Sequence, residues 1–301
     1  MDRNSVTWSG PMPAITTPFH DDGRIDEEGF ARNIDGLLEA GATGVVAGGC
    51  TGEFWALTHD ERRRLFAVAR EAVGRRGTLL VGSGAITVDE AVALTRHAET
   101  LGCDGALLVP PYFVKLTDDE IVAHYTEVCA ATGLPVVLYN IPGNAVNALT
   151  PALVARLADI DRVVAVKESS GDWNNYYGTY LAVHERLRVF CGPSSVFGVP
   201  AVELGADGTI DCFPNVWRGG GLDLYFAPAR GDKARAAEVQ ALGRQLTDLF
   251  VTGGRSLYPA TKAAMDMIGL PGGGKPRAPL RALQGEPLKG LETGLKALNL
   301  L

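Results

Sequence analysis

Val163-Val164-Ala165-Val166-Lys167-Glu168-Ser169-Ser170-Gly171-Asp172 is an apolar, largely β-branched run that ends in a lysine and passes directly into a turn of small residues. A strand covered on both faces reads as continuous Val/Ile/Ala instead of alternating, so this run is read as a buried parallel strand. Ligand chemistry in α/β folds collects at the carboxyl ends of such strands, where Lys167 stands. Desolvation in an apolar mouth disfavours the ammonium form and leaves a fraction of free amine able to attack a carbonyl and form a Schiff base. The alternative from position alone is a lysine whose stem packs along the strand end while its charge reaches solvent.

Outward from this run, strand-like segments alternate with amphipathic helical patterns, the signature of repeated βα units. Strands are read at Met12 to Thr17, Gly44 to Ala47, Leu79 to Gly82, Gly105 to Val109, Pro135 to Tyr139, the lysine run, Leu187 to Cys191 and Gly208 to Cys212. Helices are expected over Ile25 to Ala40, over Thr58 to Val73 behind a capping box, from Thr87 to before Gly102, and from Thr117 with its acid-rich first turn. Further helices open at Thr150-Pro151 and span Ser194 to Leu204. Eight such units favour an α/β fold of the closed (β/α)8 TIM-barrel type over an open doubly wound sheet. After residue 222 the strands stop, and helical patterns fill Lys233 to Phe250, Leu257 to Ile268 and Leu288 to Leu298. The chain therefore divides into a barrel over 1–222 and a C-terminal helical segment over 223–301.

A length of 301 residues with 46% hydrophobic residues permits a large core, and the net charge of -7 gives no reason to expect nucleic acid as a partner. No signal pattern or long apolar run suggests a membrane, so a cytoplasmic location is expected. Cys50, Cys103, Cys129, Cys191 and Cys212 are odd in number and lack a C-x-x-C pair, which suggests neither disulfides nor a zinc site. Packing is the preferred role for Cys191 and Cys212. The histidines, including His59 and His184, are read as surface residues on helices.

Two further stretches carry chemistry. Gly48-Gly49-Cys50-Thr51-Gly52-Glu53 follows the second strand, and its backbone N–H groups with the Thr51 hydroxyl suit a carboxylate. It lacks the G-K-[ST] ending of a P-loop, and Gly82-Ser83-Gly84 lacks the full dinucleotide fingerprint. The fifth strand ends Tyr139-Asn140-Ile141-Pro142, one strand from Lys167; a phenol there can reach an imine or simply pack at the rim.

G-C-T-G-E, Y-N-I-P and V-K-E-S-S-G-D in this order resemble the family of dihydrodipicolinate synthase and N-acetylneuraminate lyase, pyruvate-type class I aldolases and lyases. The resemblance runs from Pro13-Ala14-Ile15-Thr16-Thr17-Pro18-Phe19 to Lys275-Pro276-Arg277-Ala278-Pro279-Leu280. It implies a (β/α)8 barrel with a C-terminal helical segment, a homotetramer, and no metal or organic cofactor. It also implies that Lys167 forms the Schiff base with a 2-oxo acid, that Tyr139 relays protons, and that Cys50 and Thr51 hold the carboxylate. Gly192 and Ile210 match positions lining the same pocket.

Departures bear on the substrate. Asn144 stands where the synthase carries an arginine that grips a second carboxylate, which leaves Arg218 or another cation to be sought. Gly192-Pro193-Ser194-Ser195 replaces the G-Y-D-E of the neuraminate lyase. Cys50 replaces one hydroxyl of the usual pair, and Phe113 stands where a neighbouring subunit lends a tyrosine, so the usual hydroxyl relay is interrupted. Asp211 replaces a small residue and is a candidate acid, base or substrate anchor, or else it turns toward a helix N-terminus. The expected reaction is aldol cleavage of a 2-oxo-3-deoxy sugar acid to pyruvate and an aldehyde. The alternatives are a 2-oxo-3-deoxy acid dehydratase, dihydrodipicolinate synthase, and a non-catalytic regulatory homologue that binds a 2-oxo acid.

Overall fold

The apolar runs pair side by side as parallel strands in a computed structural model that describes residues Met1–Leu301. The first half of the barrel alternates β1 (Gly10–Pro11), α1 (Glu27–Glu39), β2 (Gly44–Ala47), α2 (His59–Val73), β3 (Thr78–Gly82), α3 (Val88–Thr100), β4 (Gly105–Leu108) and α4 (Asp118–Ala130). The second half contains β5 (Val136–Asn140), α5 (Pro142–Ala145), α6 (Pro151–Leu157), β6 (Val163–Glu168), α7 (Trp173–Val183), β7 (Arg188–Cys191), α8 (Ser194–Leu204), β8 (Gly208–Thr209) and α9 (Arg218–Ala229). Three helices follow: α10 (Lys233–Val251), α11 (Leu257–Ile268) and α12 (Gly285–Ala297).

The eight strands run in the order β1-β8-β7-β6-β5-β4-β3-β2. Ala14 bridges Val46, and the Ile15 N–H donates to the Val46 carbonyl at 3.0 Å, which brings the chain after β1 against β2 and completes the (β/α)8 barrel. Successive side chains alternate between two cores. Val137, Tyr139, Ala165 and Phe190 fill the barrel, whereas Val136, Leu138, Val163, Val166 and Val189 face the helices. Each such aliphatic side chain, taken fully out of water, contributes about 1.5–3 kcal/mol.

The helix starts follow local chemistry. Thr58 and Glu61 close a capping box on α2, Thr117 and Glu120 close another on α4, and Pro151 occupies the first turn of α6. No helix is long and apolar enough to cross a membrane.

Several expectations are corrected. The first strand was expected over Met12 to Thr17, but regular pairing is confined to Gly10–Pro11 because Pro11 and Pro13 have no N–H to donate to a ladder. The eighth is likewise regular only over Gly208–Thr209. Helix α9 escaped detection because Gly219, Gly220, Gly221 and Pro228 disfavour helix in isolation. Here tertiary packing demands glycine: a Cβ on Gly220 would lie 1.9 Å from the Trp217 indole. The same helix runs through residue 222, where the sequence reading ended the barrel. His124 is buried on α4 rather than exposed, and desolvation brings its pKa down to about 4.

Candidate active site

The parallel register sets Tyr139 of β5 beside Lys167 of β6, and Lys167 in turn beside Phe190 of β7. With both side chains directed into the barrel mouth, the Lys167 Nζ lies 4.0 Å from the Tyr139 ring centroid. Lys167 is only 5% exposed and has no carboxylate within ion-pair distance. Desolvation lowers its pKa to about 8, partly opposed by the negative charge of nearby Asp211. An amine in this state stays mainly protonated below pH 8 but holds a far larger neutral, nucleophilic fraction near physiological pH than an ordinary lysine does. Burial holds the Tyr139 phenol well above its ordinary value, so it is a protonated hydroxyl.

A cavity of about 180 Å³ surrounds the amine. Its wall includes Cys50 and Thr51 from the turn after β2, Tyr139, Gly192, Ile210 and Asp211. The sequence-derived residues Lys167, Tyr139, Cys50, Thr51, Gly192, Ile210 and Asp211 thus meet in one chamber. The Cys50 thiol is raised by burial, against the opposing influence of Lys167, and is held as thiol. Gly192 leaves no space for a side chain: a Cβ there would lie 1.7 Å from the Ser169 Oγ.

Asp211 combines both placements open to it from sequence. It borders the chamber, yet its Oδ2 accepts the Ser194 hydroxyl and the Ser195 N–H, each at 2.9 Å, at the start of α8. Its Oδ1 accepts the Cys212 N–H at 2.6 Å. Cys212 also lines the chamber, whereas Cys191 packs between barrel and helices.

Asn144 is set apart from Lys167. It lines an adjoining cavity and makes a long hydrogen bond of 3.5 Å from its amide to the Tyr258 hydroxyl. Arg218 does not supply the missing cation; its guanidinium packs on Gly36 of α1. Phe113 projects from the surface, 87% exposed, at a positive φ of 77°. Sequence reasoning missed Tyr258 and Thr247, which α11 and α10 bring to the chamber from the far end of the chain. The only local clue to Tyr258 was an aromatic at the start of a helical pattern, a signal equally consistent with packing.

A parallel (β/α)8 barrel with a desolvated lysine at the carboxyl end of β6 and a phenol beside it defines the class I aldolase type of lyase, in which a lysine forms the Schiff base. The chain belongs to the dihydrodipicolinate synthetase family, whose model matches residues 7–298. It is 34% identical over 297 residues to the 4-hydroxy-tetrahydrodipicolinate synthase of Moorella thermoacetica, covering 98% of this chain and 100% of that protein. It is 35% identical to 4-hydroxy-tetrahydrodipicolinate synthase 1 of Streptomyces coelicolor, covering 96% of this chain and 94% of that one. A prophage protein of E. coli K12 from the dihydrodipicolinic acid synthase family, solved in complex with pyruvate, superposes with a TM-score of 0.93 at 29% identity, covering 98% of this chain and 100% of that one.

Proposed function

We propose that the protein is a pyruvate-dependent aldolase that reversibly cleaves a 4-hydroxy-2-oxo acid to pyruvate and an aldehyde. The observation that carries this reading is the unpaired, buried amine of Lys167, with its pKa near 8, held over the Tyr139 ring. Pyruvate bound in a solved relative supports a 2-oxo acid as the partner here.

In this reading the neutral amine attacks the C2 carbonyl, and the carbinolamine loses water to give a protonated imine. Tyr139 gives its proton to the departing oxygen, which leaves as water, and becomes a phenolate. The C3–C4 bond then breaks: its electron pair enters the imine to form an enamine, while the C4 hydroxyl gives its proton to the Tyr139 phenolate and becomes the aldehyde. Protonation at C3 and hydrolysis return pyruvate and the amine. Cys50 and Thr51 are assigned to the substrate carboxylate, through backbone N–H groups that have no acceptor within the chain. Asp211, engaged by three donors, is assigned to fixing the start of α8 and to favouring the iminium by its charge.

The relatives' activity supports condensation to 4-hydroxy-tetrahydrodipicolinate as the second reading. Asn144, in the place of a carboxylate-binding arginine, weighs against it. A homotetramer belongs to the same proposal and is tested by sedimentation.

The experiment is intact-mass analysis after incubation with pyruvate and borohydride, followed by peptide mapping. A reduced pyruvyl adduct on Lys167 is expected. Its absence, with or without pyruvate binding, overturns the aldolase reading.

A further inference from the structure

The chamber around Lys167 adjoins a second cavity of about 370 Å³, and the two share Cys50, Ile141 and Tyr258 in their walls. A substrate whose reacting carbon is linked to Lys167 therefore extends its remaining carbons into this outer space. Its walls are aromatic. The ring centroids of Phe54 and Trp55 stand 5.7 Å apart, those of Phe54 and Tyr112 5.8 Å, and those of Trp55 and Tyr258 5.1 Å.

No lysine, arginine, histidine, aspartate or glutamate lines the outer cavity. Its polar side-chain groups are the Asn144 amide, the Tyr112 and Tyr258 hydroxyls and the Cys50 thiol. Burial raises all three acidic groups above their ordinary pKa values, so the wall is uncharged near neutrality. The Arg62 guanidinium lies behind the wall, 5.2 Å from the Phe54 centroid. Its Nη2 donates to the Gly82 and Gly84 carbonyls at 2.6 and 3.0 Å.

This lining sorts substrates by chemistry. A carboxylate or ammonium on the tail would lose its hydration and meet no opposite charge. A polyhydroxylated tail would exchange many water hydrogen bonds for a few fixed partners. An aromatic ring would gain edge and face contacts with the surrounding rings and would give up little hydration. Resting on the aldolase reading above, we infer that the aldehyde partner carries an uncharged aromatic substituent, seated among Phe54, Trp55, Tyr112 and Tyr258.

The test measures pyruvate consumption with benzaldehyde, glyceraldehyde and aspartate semialdehyde, alongside cleavage of 4-hydroxy-2-oxo-4-phenylbutanoate to pyruvate and benzaldehyde. The expected kcat/KM for benzaldehyde exceeds that for the other two aldehydes by about tenfold or more. Trp55→Ala, with folding checked by thermal melting, is expected to lower the benzaldehyde value by about tenfold and the glyceraldehyde value by much less. A preference for glyceraldehyde or aspartate semialdehyde overturns the inference, as does failure to turn over either aromatic compound. Equal effects of Trp55→Ala on all aldehydes would also overturn it. Borohydride trapping with pyruvate alone separates the two levels: an adduct on Lys167 with a non-aromatic preference removes only the tail assignment, whereas no adduct removes the aldolase reading and this inference with it.

Discussion

Two buried lysines stand in nearly the same surroundings and have opposite fates. Lys167 is 5% exposed with its Nζ 4.0 Å from the Tyr139 ring centroid, and Lys262 of α11 is 1% exposed with its Nζ 4.3 Å from that of Phe19. Desolvation lowers the pKa of both. The difference is a carboxylate. Lys262 lies 2.5 Å from Glu53 Oε1, whereas the acid nearest in role to Lys167, Asp211, is taken up by backbone and hydroxyl donors. Burial alone does not make a lysine a nucleophile; burial without a partner does.

The paired lysine has its own task. Glu53 adopts a left-handed backbone, with φ of 56°, at the turn that leads into Phe54 and Trp55. Its other oxygen accepts the Arg277 N–H at 2.9 Å. The Glu53–Lys262 pair thus fastens the C-terminal helices to the loop that carries Cys50, Thr51, Phe54 and Trp55.

The sharpest break in the comparison is Lys167→Met. Steady-state pyruvate formation should fall by about 10⁴-fold or more, with no borohydride adduct, because no other residue can supply the imine. The next is Lys262→Met, which leaves Glu53 buried and uncompensated and should reduce unfolding free energy by about 3–5 kcal/mol in denaturant titrations. Restored stability in the double variant Glu53→Gln/Lys262→Met would identify the orphaned charge as the cause.

A smaller effect concerns pH. Lys167 releases its proton near pH 8 when folded and near 10.5 when unfolded, so between these values the unfolded state binds more protons and stability rises with pH. Below pH 8 the folded state carries the full penalty, of the order of 3 kcal/mol, and Lys167→Met should be more stable than wild type by up to about that amount. The gap should close as pH is raised from 8 toward 10.5, which thermal melts across that window would record. The corresponding adduct-formation rate should rise toward pH 8 and level off above it.

The smallest expected effect is at Cys50. Its raised pKa keeps the thiol protonated, so alkylation should be slow at pH 7, faster above pH 9, and slowed several-fold by pyruvate, as followed by peptide mass. Labelling indifferent to pyruvate would remove Cys50 from the carboxylate site.

The sequence by itself determined the barrel, the helix caps and the pairing of Lys167 with Tyr139. Each is written in local chemistry: β-branched runs, Thr-x-x-Glu boxes, and polar residues at strand ends that the parallel register must bring together. It could not show α9, where Gly220 and Gly221 are explained only by the Trp217 and Pro214 surfaces they pack on. Nor could it show that Lys262 is neutralised by Glu53, or that Trp55 and Tyr258 share a wall. These contacts join residues about 200 positions apart in the chain, and only the docking of α11 against the barrel mouth decides them. Local pattern fixes where a lysine sits along its strand or helix; the charge that faces it is set by the tertiary structure.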